Sequence, residues 1–216
     1  MEKFLNEKIV EEAKNGNLDN VQLLLKAGVD VNVKDINGYT ALMKASRKNH
    51  TNVVTELLNN NADINLKDKD GWNALMFAVQ KGNSEMVDLL LPKINDVNLQ
   101  TKNGWTALMF ALGYHHFDIV TKLLANNADV NLQDKEGKTV LMNASQFGHT
   151  NVVKELLYKN ANVNLKDKDG QTAYDLAKTD EIKNLLKNKE SHTLIIRQGN
   201  EISMSYQITN DITINI

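Results

Sequence analysis

The chain has 216 residues, 42% of them hydrophobic and 24% charged, which supplies the core of one ordinary domain or a short repeat array and excludes wholesale disorder. Its 25 Lys and Arg against 27 Asp and Glu give a formal charge of -2 with the signs interleaved, which argues against a dedicated nucleic-acid binder and its basic stripe. There is no cysteine, so disulfides, thiolate metal sites and cysteine nucleophiles are excluded as well.

The opening residues contain no apolar stretch of signal-peptide length, and no later run approaches the ~18 apolar residues of a membrane span. The expectation is a cytoplasmic protein with no membrane partner; secretion by a route that needs no amino-terminal signal stays open. Residues 1–37 read as a first repeat with a helix around 8–14. Glu11 and Glu12 stand where residues would otherwise meet a preceding repeat, as suits an N-terminal cap.

From there one unit recurs. Gly38, Gly71, Gly104, Gly137 and Gly170 stand 33 residues apart. Leu42, Leu75, Leu108 and Leu141 keep the same spacing, as do Ala45, Ala78, Ala111 and Ala144, and Leu57, Leu90, Leu123 and Leu156. Residues 38–169 therefore hold four full repeats. In the first, Leu42, Ala45 and Ser46 lie on one side of a short helix opening near Thr40. A break at Asn49-His50 follows, and Val53, Val54, Leu57 and Leu58 then mark a second helix. Turn formers such as Lys67-Asp68-Lys69-Asp70-Gly71 close each unit, and the glycine supplies a positive φ. Asn49 and His115 replace the inter-helix glycine of Gly16, Gly82 and Gly148, and both types tolerate left-handed geometry. Pro92 ends the third repeat's second helix early. Asn32, Asn65, Asn98, Asn131 and Asn164 are expected to hydrogen-bond within the loops.

Residues 170–189 form a closing half-repeat, made polar by Lys183, Lys187 and Lys189. Residues 190–216 have strand composition at 193–198, 201–208 and 211–216, with Ile202, Met204, Tyr206 and Ile208 alternating with polar neighbours. This tail is either a hairpin or meander covering the end of the array, or an edge that pairs with a partner strand or with another copy of the chain. His50, His116 and His149 share one repeat position, but neighbouring units stack roughly 8–10 Å apart, too far for shared metal ligation. They read as turn-stabilising residues. No phosphate loop or nucleophile elbow occurs, and no catalytic group, metal or cofactor is implied.

The repeat resembles the ankyrin repeat. Thr40-Ala41-Leu42-Met43, Asn73-Ala74-Leu75-Met76, Thr106-Ala107-Leu108-Met109 and Thr139-Val140-Leu141-Met142 correspond to that family's threonine-proline-leucine-histidine motif. Ala62-Asp63-Ile64-Asn65, Ala128-Asp129-Val130-Asn131 and Ala161-Asn162-Val163-Asn164 correspond to its alanine-aspartate-valine-asparagine stretch. The match covers about 5–189. Proline is missing throughout, and methionine replaces a histidine that in the family bonds the motif's threonine; a lost helix-start hydrogen bond, with apolar packing in its place, is implied.

The resemblance implies a mainly α fold, a solenoid of antiparallel helix pairs with β-turn fingers. It further implies a non-catalytic scaffold that holds a protein partner on the concave face through fingers and first helices. Carried over residue by residue, the finger positions are Ile36, Asn37 and Tyr39; Lys69, Asp70 and Trp72; Lys102, Asn103 and Trp105; Lys135, Glu136 and Lys138; and Lys168, Asp169 and Gln171. Arg47, Lys48, Gln80, Lys81, Tyr114 and Gln146 extend this surface along the helices. Trp72 and Trp105 share one position with Tyr39. They are either contact anchors, since Trp and Tyr are enriched at hot spots, or residues that stack on each other and on neighbouring loops as structure. Phe77 and Phe110, at another shared position, suit core packing as well as binding. The alternative function is self-assembly through the β tail.

Overall fold

A computed structural model describes residues 2–187, 195–198 and 201–204. The chain divides into two compact units, Met1–Asp129 and Val130–Ile216.

The first unit holds four helix pairs: α1 (Glu2–Asn15) with α2 (Leu18–Lys26), α3 (Ala41–Lys48) with α4 (Thr51–Asn59), α5 (Ala74–Gln80) with α6 (Ser84–Leu90), and α7 (Ala107–Gly113) with α8 (Phe117–Ala125). The first helices pack in succession, α1 on α3, α3 on α5 and α5 on α7, while α2 packs on α4 and α6 on α8. Ala13, Ala45, Ala78 and Ala111 are fully buried between them, because a methyl group lets neighbouring backbones approach closely. Leu57, Leu90 and Leu123 fill the interior from the second helices with no exposed surface. Each such leucine contributes about 1.5–3 kcal/mol of burial that an isolated pair could not obtain.

Local chemistry sets where each helix starts. Thr40 and Thr106 accept through Oγ1 from the backbone N–H of Met43 and Met109, both at 3.2 Å, and Asn73 Oδ1 accepts from Met76 at 2.9 Å. The helix-start bond expected to vanish with the family's histidine is replaced, in the repeat opened by Thr40, by an N–H donating to Met43 Sδ at 3.5 Å. A thioether is a weak acceptor, so the substitution keeps a polar contact that apolar packing alone would not supply. Left-handed turns follow at Asn49 (φ 64) and His115 (φ 62), as the residue types implied. Gly16 is glycine for a further reason: a Cβ there would stand 2.6 Å from the His50 ring. His50 Nε2 donates to the Lys14 carbonyl at 3.0 Å, tying one repeat's turn to the helix before it. Helix α6 ends at Leu90, two residues short of its counterparts α4 and α8, and Pro92 sits in a 3-10 turn at Leu91–Lys93.

The recurrent asparagines bond within their own loops as expected: Asn32, Asn65 and Asn98 donate their backbone N–H to Asp30, Asp63 and Asp96 Oδ1 at 2.8–2.9 Å, and Asn65 Nδ2 donates to Asp63 Oδ1 at 3.1 Å. Their side-chain oxygens also reach the next repeat. Asn32 Oδ1 accepts from Asp63 N at 2.8 Å, Asn65 Oδ1 from Asn95 N at 3.3 Å and Asn98 Oδ1 from Asp129 N at 2.8 Å. Each amide therefore links one repeat to the next. Lys34 Nζ and Lys67 Nζ make a parallel set of links, to the carbonyls of Lys67 and Gln100.

The second unit holds α9 (Val140–Phe147), α10 (Thr150–Tyr158) and α11 (Asp180–Lys187). Thr139 caps α9 with the same pair of bonds as Thr40, its Oγ1 accepting from Met142 N at 3.2 Å and its N–H donating to Met142 Sδ at 3.4 Å. Helix α11 packs on α10 and buries Ile182 and Leu186. Strands β1 (Ile195–Gln198) and β2 (Glu201–Met204) pair antiparallel, Ile195 opposite Met204. The expected strand at 211–216 and the remainder of the tail lie outside the described residues.

Candidate interaction surface

Each finger is a turn closed by its own side chain. Asp68 Oδ1 accepts from the backbone N–H of Asp70 at 2.9 Å and of Trp72 at 2.8 Å, and Asp68 N donates to the Trp72 carbonyl at 2.8 Å. Asp35 does the same for Asn37 and Tyr39, while Thr101 Oγ1 accepts from Trp105 N at 3.1 Å. Adjacent fingers are stitched by backbone, Lys102 N donating to the Asp70 carbonyl at 2.8 Å. This approach leaves no room at Gly71, where φ is +86° and a Cβ would stand 2.9 Å from Lys102 N and Thr101 Cα. The backbone carrying Tyr39, Trp72 and Trp105 is thus fixed at every finger.

The rings on those fingers alternate with phenylalanines from the helices. Tyr39 lies 5.7 Å from Phe77 between ring centres, Phe77 5.0 Å from Trp72, Trp72 4.2 Å from Phe110, and Phe110 5.1 Å from Trp105. The tryptophans are not paired with each other, since Phe110 contacts both. Aromatic pairs at these separations add about 0.5–1.5 kcal/mol each beyond area burial. Phe77 and Phe110 are buried, whereas Tyr39, Trp72 and Trp105 are half-buried. The tryptophans therefore serve the packing and still present surface.

That surface borders a groove of about 470 Å³ lined by Asp70, Trp72, Lys102, Asn103, Trp105, Phe110 and Tyr114. A Cβ at Gly113 would stand in ordinary van der Waals contact with Trp105, 3.4 Å from Cζ3. Tyr114 is 45% exposed, and its hydroxyl accepts from Gln80 Nε2 at 3.1 Å. Of the positions expected from the sequence, six converge on this groove: Asp70, Trp72, Lys102, Asn103, Trp105 and Tyr114. Tyr39 and Arg47 stand at the far end of the aromatic row, Arg47 Cζ 5.5 Å from the Phe77 ring centre. Lys69 is exposed on its finger. Lys135, Glu136 and Lys138 belong to the second unit, where Lys135 and Glu136 are exposed and Glu136 pairs with Lys168 at 3.3 Å.

Sequence reasoning missed Lys44 and Gly113. Lys44 occupies the repeat position of Phe77 and Phe110, and its Nζ sits 3.6 Å from the Tyr39 ring centre, so a cation over an aromatic face takes the place of a phenylalanine. The 33-residue register would have found it. Gly113 shares its position with Arg47 and Gln80, so the repeat that carries Trp105 lacks the long polar side chain of its neighbours there. Among the described residues, no group of three or more His, Asp or Glu is placed to hold a metal ion, and no helix is long and apolar enough to cross a membrane.

A family model of ankyrin repeats in three copies matches in overlapping windows over 9–101, 57–134, 82–167 and 113–195. No curated protein resembles the chain closely enough to count as a match. The chain belongs to the ankyrin-repeat family, whose repeats are generally protein–protein interaction modules and typically non-catalytic.

Proposed function

We propose that the chain is a non-catalytic scaffold that binds a protein partner chiefly at the aromatic groove of its first unit. The observation that carries this reading is the pair of half-buried indoles, Trp72 and Trp105, held around Phe110 with Lys102, Asn103 and Tyr114 exposed beside them. Large rigid rings ringed by polar groups are the usual make-up of an energetic hot spot. Because packing already holds those rings, binding orders few side chains, and less of the contact energy is lost to entropy. Tyr39, Arg47, Lys69, Asp70 and Gln80 extend the surface along the same unit. Lys135, Glu136 and Lys138 supply polar finger contacts on the second.

The test is to capture a partner from lysate, identify it, and titrate it against three proteins. These are the wild type, the groove variant Lys102→Glu/Asn103→Arg/Tyr114→Ala, and the second-unit finger variant Lys135→Ala/Glu136→Ala/Lys138→Ala, whose polar contacts should matter less. The tryptophans are left in place because they also pack against Phe110. An affinity at least about tenfold weaker in the groove variant, or roughly 1.4 kcal/mol, supports the assignment. Equal affinity in all three refutes it.

A second reading, self-assembly through 190–216, draws on the two-stranded β1–β2 sheet, which has no third strand among the described residues. Open strand edges are templates for pairing. Removing 190–216 should then lower the number of chains per particle in solution; an unchanged number dismisses this reading.

A further inference from the structure

A second groove of about 530 Å³ opens on the first unit between α1, α3 and the end of α5, lined by Lys14, Lys44, Arg47, Lys48 and Lys81 together with Asn49 and Asn83. No carboxylate lines it, although the chain as a whole is slightly acidic. Lys14 is paired with Glu11 at 3.0 Å, and Lys44 lies 3.8 Å from Asp35. Arg47, Lys48 and Lys81 have no ion pair among the described residues.

Helix stability does not demand this concentration of charge. Cations in a last turn favour the helix dipole by about 0.3–1 kcal/mol each, which accounts in part for Lys14, Arg47 and Lys48. Helices α7 and α9 end without any such cation, and α5 has one only at its C-cap, Lys81. Lys44 is mid-helix and its side chain is only 18% exposed. Desolvation holds its ammonium below the ordinary lysine range; Asp35 and, more weakly, Glu11 oppose that shift, while Arg47 and Lys14 add to it. A half-buried cation kept among other cations is a cost that a bound anion would relieve.

The groove adjoins the aromatic row. Lys44 caps Tyr39 and Arg47 reaches the Phe77 ring, and these two rings lead on to Trp72. Resting on the protein-binding reading above, we propose that this groove receives a run of Asp and Glu side chains from the partner, within a segment whose adjoining apolar residue meets the aromatic row. Nucleic acid shares the negative charge but fits less well. Its bases need free ring faces to stack on, and Trp72 is already engaged by Phe77 at 25° and Phe110 at 34°.

The probe is a fluorescein-labelled peptide of six glutamates followed by two leucines, titrated into the full chain by anisotropy. Hexalysine-dileucine and a ten-nucleotide oligothymidylate serve as comparisons. The acidic peptide is expected to bind, to weaken at least about tenfold between 50 and 300 mM salt, and to weaken about tenfold in Arg47→Glu/Lys48→Glu. Both positions are exposed, and circular dichroism checks that the variant is folded. Lys81→Glu, from the neighbouring repeat, should weaken the peptide in the same direction. No binding of the acidic peptide at 1 mM, indifference to both charge reversals, or tighter binding of the oligothymidylate would each overturn the proposal. A captured partner that is lost by the Lys102/Asn103/Tyr114 variant yet indifferent to Arg47→Glu/Lys48→Glu would sink this inference and leave the protein-binding reading standing.

Discussion

Replacing Phe110 with alanine tests the packing on which the aromatic surface depends. Its side chain is 6% exposed and touches Trp72 at 4.2 Å, Trp105 at 5.1 Å and Tyr114 at 6.5 Å between ring centres. Removing a buried phenylalanine side chain ordinarily costs about 3–5 kcal/mol, the spread reflecting how far the hole can collapse or fill. Here one wall of the hole is the open groove, so water enters and the indoles settle inward. The expected loss is therefore at the lower end, about 3 kcal/mol. Equilibrium urea unfolding followed by circular dichroism measures it, and indole emission gives a second readout, because both tryptophans of the chain border this ring. Emission should move to longer wavelength in the folded variant. A double-mutant cycle with Trp72→Leu should leave a coupling of about 0.5–1.5 kcal/mol. A loss under about 1 kcal/mol with unchanged emission would mean that Phe110 does not support the indoles, and the row would be a coincidence of register.

Two further outcomes follow from the fingers and the first helix. Gly28→Ala and Gly71→Ala both force alanine into the left-handed region, at φ +85° and +86°, but only Gly71 has backbone within 3 Å of the new Cβ. Gly28→Ala should lose about 1–2 kcal/mol from strain alone, and Gly71→Ala distinctly more in thermal melts; equal losses would argue against close contact between fingers. Glu12 is held below its ordinary value of 4.5 by side-chain hydrogen bonds from Asn20 and Asn17 and by Lys8, against an opposing effect of burial. A depressed folded value means that its contribution is complete above the unfolded value and is lost as pH falls through the folded one. The stability gap between wild type and Glu12→Gln should therefore be widest near neutral pH and narrow on acidification below about 4.5, and a gap that does not change across that range would contradict the hydrogen-bond account.

Most of the fold was legible because a 33-residue register turns one repeat into a template for the rest. Leu42, Ala45 and Leu57 each predicted their counterparts, and the left-handed turns at Asn49 and His115 followed from residue type. The site was legible only in part. Register placed Tyr39, Trp72 and Trp105 in line, yet it fixes neither ring direction nor what lies between. The alternative in which the tryptophans stack on each other overlooked Phe110, five residues beyond Trp105 and one repeat beyond Phe77. The asparagines were legible by half: their bonds within the loop were expected, whereas the reach of each side-chain oxygen to the next repeat was not. An Asn amide can bond its own loop or the next one, and only the distance between stacked repeats decides, which is a tertiary quantity. Methionine at the helix start was read as apolar because its sulfur is so weak an acceptor.

The basic groove was illegible for a different reason. Its cations come from three register positions on three helices: Lys14 with Arg47, Lys48 with Lys81, and Lys44 alone at the position of Phe77 and Phe110. Along the chain Lys14 and Lys81 stand apart from the others, Lys44, Arg47 and Lys48 lie in a stretch with no acidic residue between Asp35 and Glu56, and the net charge of -2 hides them all. They converge because stacking brings α1, α3 and α5 side by side. The same register position thus holds a cation in one repeat and phenylalanine in the next two. Substitution there changes the character of the surface without disturbing the alanines and leucines that hold the helices together. On the proposed reading, specificity lies at positions 44, 47 and 48 and at the fingers that face them, where the repeat tolerates variation. Stability lies at Ala45, Leu57 and their counterparts, where it does not.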